Sequence, residues 1–203
     1  MKRTEQEAAQ TKQTILDAAL NIFSQKGYNA TRLQDIASAA GVTRGAVYHH
    51  FGNKAGLFQE LVESASQGGN TVIAEAIAEG GSFVEICERI LTRSFEMIAK
   101  DRKMRETMML YLFKTDISSE LSQFSETLRE QAITAVQGLA GFMQMGIGAG
   151  QLNADLDPEV AARAFLAYQN GVIQLWLTNP DAFSLEAQAA QLAKAFLYGF
   201  APN

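Results

Sequence analysis

A single cysteine, Cys87, denies this 203-residue chain an internal disulfide. It shares an apolar helical face with Phe83, Ile86 and Ile90, which reads as a buried structural thiol. Only three prolines are present, and runs that alternate apolar with polar residues are missing, so an all-α fold is expected. No apolar stretch approaches the roughly 20 residues of a membrane span, and no early one reads as a secretory leader. A cytoplasmic, reduced setting with no membrane partner is the expectation. The only two histidines, His49 and His50, are adjacent, and neighbours on a helix point about 100° apart, a poor metal pair. No glycine-rich phosphate loop, zinc spacing or Ser-His-Asp set can be assembled. Hence no catalytic residue, metal or cofactor is assigned, and an enzyme is not expected. A positive charge balance is lacking too: the net charge of −5 argues against a protein that coats nucleic acid indiscriminately.

What is present begins with apolar bulk, 47% of residues, enough for a substantial core. Charge is unevenly spread. Residues 1–60 carry a net +2, leaving −7 for the remainder, the pattern of a nucleic-acid-binding head on an acidic body. Met1 to Gln10 reads as a polar arm, either solvated or reaching a phosphate or minor groove through Lys2 and Arg3. A first helix is expected from Thr11 to Gln25, with Ile15, Ala18, Ala19, Ile22 and Phe23 inward and Lys26-Gly27 ending it.

The central stretch is Thr31 to Lys54, TRLQDIASAAGVTRGAVYHHFGNK. Thr31 can cap a short helix with Gln34 three residues on, as in a capping box. Leu33, Ile36, Ala37 and Ala40 share one face. Gly41 stops that helix, Val42 follows into the core, and Thr43 can cap a second helix running to His49. Helix, glycine turn, helix is the DNA-binding helix-turn-helix. His50 and Phe51 are expected inside. After Gly52, Asn53 can cap a further helix from Lys54 that continues the apolar face through Leu57, Phe58, Leu61 and Val62. Gly68-Gly69 interrupts it, each glycine costing roughly 1 kcal/mol against alanine. Whether it kinks, breaks or tolerates them is left open.

The run Ile15, Ala18, Ala19, Phe23, Gly27, Tyr28, Thr31, Ile36, Ala37, Ala40, Gly41, Val42, Gly45, Tyr48, His50, Phe51, Lys54 and Leu57 closely resembles the DNA-binding domain of the TetR/AcrR family of bacterial transcription regulators. The resemblance implies an N-terminal helix-turn-helix domain, residues 1–52, and a C-terminal ligand-binding and dimerisation domain, residues 53–203. It also assigns the DNA contacts. Thr43 and the helix N-terminus behind it would bind phosphate, and Arg44 would reach a guanine edge. Gly45 and Ala46 would let the backbone approach the bases. Tyr48 and His49 would donate to phosphates, and Thr31 and Arg32 would hold the other strand. Lys54 sits where its charge opposes the helix dipole, which a phosphate over that helix end would explain.

Further along, Gly80-Gly81 marks a break, and Ser82 with Glu85 forms a capping box for a helix from Phe83 to Lys100. Helices are expected over Asp101–Leu112 and Glu120–Met145, with Thr115 to Ser119 a polar interruption. Asp157-Pro158 starts another, to Thr178, and Ser184 begins the last, to Phe200: nine in all. Soft apolar residues at helical spacing include Phe95, Met108, Leu112, Phe142 and Trp176, and they read as core or as an adaptable ligand pocket. Leu166, Gln169, Asn170 and Ile173 lie at i, i+3, i+4, i+7, and two amides on an apolar face need either protein partners or a ligand. Ala164 to Phe183 resembles the corresponding helix of AcrR-type multidrug efflux regulators, which implies a drug-like hydrophobic effector and a place in a dimer. Phe165, Tyr168 and Val172 on one helix, with Leu192, Phe196 and Phe200 on the next, are the expected homodimer contacts, since helices apolar nearly all round must be buried on several sides.

The resulting expectation is a homodimeric repressor that binds a palindromic double-stranded operator and is released by a hydrophobic small molecule. Two rivals stand beside it. One is a regulator of the same family serving fatty-acid or quorum-related metabolism with an acyl ligand. The other is a ligand-binding helical dimer, or small helical enzyme, that has no operator.

Overall fold

The structure, a computed structural model, describes residues 5–113 and 121–197, without the side chains of residues 66, 67, 122 and 123. The Lys2–Arg3 end of the arm, the polar interruption at Thr115 to Ser119 and the dimer candidate Phe200 lie outside the described residues. Nine helices are described: α1 Glu5–Lys26, α2 Leu33–Ala39, α3 Arg44–Phe51, α4 Lys54–Ala78, α5 Phe83–Lys100, α6 Arg102–Phe113, α7 Ser122–Gly148, α8 Pro158–Thr178 and α9 Leu185–Leu197. Described strands are absent, and no described helix is long and apolar enough to cross a membrane.

Contacts group the chain into two compact units. One joins Met1–Gln67 to Lys103–Ser125; the other joins Gly68–Arg102 to Glu126–Asn203. The division between these units falls within α4, between Gln67 and Gly68.

In the first unit, Phe23 stacks on Tyr28 at 5.6 Å, and Phe58 meets both rings edge-on at 5.9 and 5.1 Å. Phe124 adds its own ring to Phe58 at 5.6 Å. Fully buried aromatic side chains of this kind contribute about 1.5–3 kcal/mol each. Ion pairs Lys12–Glu60 and Lys103–Asp17, both 2.7 Å, tie α1 to α4 and to α6 at the periphery. The helix α1 starts six residues before the expected Thr11. Glu5 and Glu7 fall in its first turn, where the positive end of the helix dipole stabilises carboxylates.

In the second unit, α5 buries Phe83, Ile86, Cys87, Ile90, Leu91, Phe95 and Ile98 on one face. It packs most extensively against α9, where Ala189 and Ala193 are buried. Its capping box forms as expected: Ser82 N–H donates to Glu85 Oε2 at 2.7 Å, and Glu85 N–H to Ser82 Oγ at 3.3 Å. Burial pushes the Cys87 thiol up to about 12, in keeping with an inert core residue. Phe142 stacks on Phe83 at 4.6 Å, and a Cβ at Gly146 would lie 2.7 Å from the Phe83 ring, so only glycine fits where α7 crosses α5. At the start of α8, Asp157 Oδ1 accepts from the backbone of Glu159 and Val160 at 2.8 and 3.0 Å.

Of the alternatives in α4, a break is excluded, since the helix is continuous through Gly68-Gly69. A Cβ at Gly69 would meet nothing within 4 Å, so packing does not require glycine there. The two ends are held. Asn53 Oδ1 accepts from Gly56 N–H at 2.7 Å at the start. At the finish, Arg89 donates to the carbonyls of Ala76 and Gly80, and Arg93 pairs with Glu79 at 2.7 Å.

Candidate nucleic-acid interface

The turn between α2 and α3 is built on Gly41, whose φ of 65° suits glycine. Thr43 caps α3 as expected, its Oγ1 accepting from Ala46 N–H at 3.2 Å. Val47 and Phe51 anchor α3 to the core, one turn apart. That fixes its rotation, and Thr43, Arg44, Gly45, Tyr48 and His49 face solvent while Ala46 and His50 are half-buried. The expectation that His50 lies inside is thus met only in part.

Two expected roles change. Thr31 is neither a cap nor a surface contact. It is 2% exposed, and its hydroxyl donates to Gly27 O at 2.7 Å. Arg32 takes the cap position of α2, its backbone N–H donating to Asp35 Oδ2 at 3.4 Å; its side chain has no acceptor, so half of a capping box forms, one residue on from the expected Thr31–Gln34 pair. The Lys26 ammonium, 3.1 Å from Asp35, and the Arg32 N–H together hold the Asp35 carboxyl below its ordinary range. Lys54 is partly spoken for inside the chain: its Nζ donates to Tyr28 O at 3.2 Å and lies 4.3 Å from the Tyr28 ring centroid. That gives a second account of a lysine at a helix start.

Arg32, Arg44 and Lys54 nevertheless converge. With Thr31, Leu33, Tyr48, Asn53 and Ala55 they line one cleft of about 480 Å³, and no carboxylate is among these residues. Within it Arg44 Nη2 donates to Tyr48 Oη at 3.3 Å, the guanidinium 5.3 Å over the phenol ring. Asn53 and Ala55 were missed as cleft residues. Their position at the N-terminus of α4, beside Lys54, was the available signal.

The ligand candidates are scattered. Phe95, Ile173 and Trp176 are buried, Leu166, Gln169 and Phe142 half-buried, and all belong to the second unit. Asn170 is exposed, so water can satisfy its amide and the pairing argument for it falls. Met108 and Leu112 belong to the first unit, Leu112 exposed. A void bounded by Phe83, Val84, Cys87, Met143, Leu152, Phe165, Phe196 and Leu197 measures about 10 Å³, far below the roughly 300 Å³ of a small-molecule pocket.

The aromatic dimer candidates turn inward. Phe165 and Tyr168 pack on Phe196 at 5.8 and 4.4 Å, and Tyr168 Oη donates to Leu192 O at 2.7 Å, so these side chains fasten α8 to α9 within one protomer. Val172 and Leu192 are half-buried. The face α8 leaves open carries Val160, Ala167, Gly171 and Leu175, with Val160 53% and Leu175 67% exposed. Helical spacing of small and apolar residues was the signal for it.

Residues 15–61 match the profile of bacterial regulatory proteins of the tetR family, and residues 83–201 match that of the MAATS-type transcriptional repressor C-terminal region. The HTH-type transcriptional regulator AcrR of Shigella flexneri is 33% identical over 93% of this chain and 88% of its own. NalD, the secondary repressor of the MexAB-OprM multidrug efflux pump in Pseudomonas aeruginosa, superposes with a TM-score of 0.84 at 25% identity, over 96% of this chain and 98% of its own. SmeT in complex with triclosan superposes at 0.80 with 26% identity, over 95% and 92%; SmeT represses the SmeDEF multidrug efflux pump of Stenotrophomonas maltophilia.

Proposed function

The chain belongs to the TetR family of bacterial regulatory proteins, and on that premise we propose which of its residues act on DNA, on effector and on a second copy. It is a ligand-responsive, DNA-binding transcriptional repressor that works as a dimer on operator DNA, not an enzyme. In our reading α3 enters the major groove. Thr43, Tyr48 and His49 meet phosphates, Arg44 meets a base edge, and Arg32 and Lys54 add charge at the mouth of the cleft. The observation that carries this reading is the open face of α3 beside a cleft whose described residues include three cations and no acid.

One copy is a weak binder, since its contacts are few. Two copies presenting α3 to half-sites about 34 Å apart bind a palindrome. The strip Val160–Ala167–Gly171–Leu175 is where the second copy packs in this reading. The regulated system is an efflux pump, supported by solved structures named for that role. The effector is hydrophobic, like the triclosan in the SmeT complex, and binds the second unit near Phe95, Leu166, Gln169, Ile173 and Trp176. It releases DNA by population shift, which requires different effector affinity for the two states. The protein acts in the cytoplasm, where the operator is.

The test is fluorescence anisotropy on duplex DNA from upstream of the chain's own gene. Specific binding at moderate salt, reversed by triclosan or another hydrophobic drug, is the expected result. A protein that binds this DNA no better than an unrelated duplex would sink the reading.

A further inference from the structure

Arg44 does not project freely from α3. It stands four residues before Tyr48, and such pairs are neighbours on a helix surface. Its Nη2 donates to the Tyr48 hydroxyl at 3.3 Å, and its guanidinium lies 5.3 Å over the ring. An arginine that must order itself on meeting a base loses rotamer freedom at that moment. Here the ring and the phenolic oxygen restrict it beforehand, and among the described residues no carboxylate lines the cleft to draw the guanidinium elsewhere.

A phenol accepts through its oxygen lone pairs and donates through its single proton. Accepting from Arg44 leaves the proton of Tyr48 for an outward partner, and Tyr48 is 44% exposed. We propose that Tyr48 is a positioning residue for base reading: it accepts from Arg44 while donating to a DNA phosphate, so that one backbone contact aims the arginine at a base edge. This rests on the operator-DNA reading above and deepens it, since Tyr48 as a plain phosphate contact would carry no sequence information. Neutral phenol contacts release no counterion, so the salt dependence of binding is unaffected by this role.

The test is selection from a random-core duplex library by the wild-type dimer, by Tyr48→Phe, by Arg44→Ala and by the double variant, followed by dissociation constants on the enriched duplex and its single-pair substitutions. The wild type should enrich a palindrome with a G·C pair in each half whose preference Arg44→Ala abolishes. Tyr48→Phe keeps a ring beneath the guanidinium and removes the hydroxyl. Preference at that pair should drop about tenfold, with other positions unchanged. The double variant should discriminate no worse there than Arg44→Ala alone. Thermal melts of all four should coincide, because both side chains are exposed. An intact G·C preference in Tyr48→Phe overturns the proposal, as does a uniform loss at every position, or a preference that Arg44→Ala leaves in place. A wild-type protein that enriches no sequence overturns the operator-DNA reading itself.

Discussion

Helices α3 and α8 both leave a face uncovered, and the two faces differ in what they can bind. In α3, eight residues long, only Val47 and Phe51 are buried. A helix this short is not stable alone, so the core holds it in place and its outer face is free to carry a hydroxyl, a guanidinium, a phenol and an imidazole. The 21 residues of α8 are held by Ala161, Ala162, Phe165, Ile173, Trp176 and Leu177, and the open strip between is apolar and small. Donors and positive charge suit a polyanion. A strip of Val160, Ala167, Gly171 and Leu175 suits another protein surface, because apolar patches left in water mark interaction sites. On the reading proposed above, one chain would present its two kinds of partner on separate helices, each chosen by which side chains the core consumes.

The sharpest way to break this contrast is inside α8. Phe165→Ala should cost about 3–5 kcal/mol of unfolding free energy in urea titration, because the ring is an inward anchor. A cost near zero would return Phe165 to the interface. Next, Leu175→Asp should weaken dimerisation by about 2–4 kcal/mol, as the loss of a central apolar contact does. Sedimentation should then show monomer at micromolar concentration with the helical circular dichroism signal retained. A dimer as tight as the wild type would place the second copy elsewhere. Arg44→Ala is the mildest of the three: about 1–3 kcal/mol of discrimination per half-site, with neither the melt nor the dimer disturbed. An Arg44→Ala protein that unfolds earlier would mean that α3 has a third anchor.

Where a signal was local, the sequence conveyed it. Ser82 and Glu85, Asp157-Pro158 and Gly41 each act within a turn of where they stand, and the structure forms the caps and the turn they predict. The rotation of α3 was legible only in part: Phe51 is buried as expected, but the second anchor is Val47, which the sequence reading passed over, and His50 is half-buried. Competition between neighbours was harder to see. Thr31 lost the capping role to Arg32 because its hydroxyl finds Gly27 O one turn back, a contact that depends on how the α1–α2 corner closes. Lys54 likewise found Tyr28 across 26 positions of chain. The direction of an apolar face was not legible at all: Phe165 and Tyr168 read as interface because periodicity reports burial without saying whether the cover is the same protomer or its partner. Asn170 lies outside the buried stripe of α8, whose residues include Phe165, Ile173 and Trp176.

The glycine pair in α4 bears on which part of the protein opens first. Relative to two alanines it lowers helix propensity by about 2 kcal/mol in a single turn, and at Gly69 no close contact requires the absence of a Cβ. Both ends of the same helix are fastened, by Asn53 at one and by Arg89 and Arg93 at the other. Partial unfolding is drawn from the segments with least to lose. Fraying, which usually begins at helix ends, is therefore displaced to the middle of α4, where Gln67 meets Gly68 and the two compact units meet in sequence. The amide protons of that turn would exchange with solvent ahead of those in the capped turns on either side.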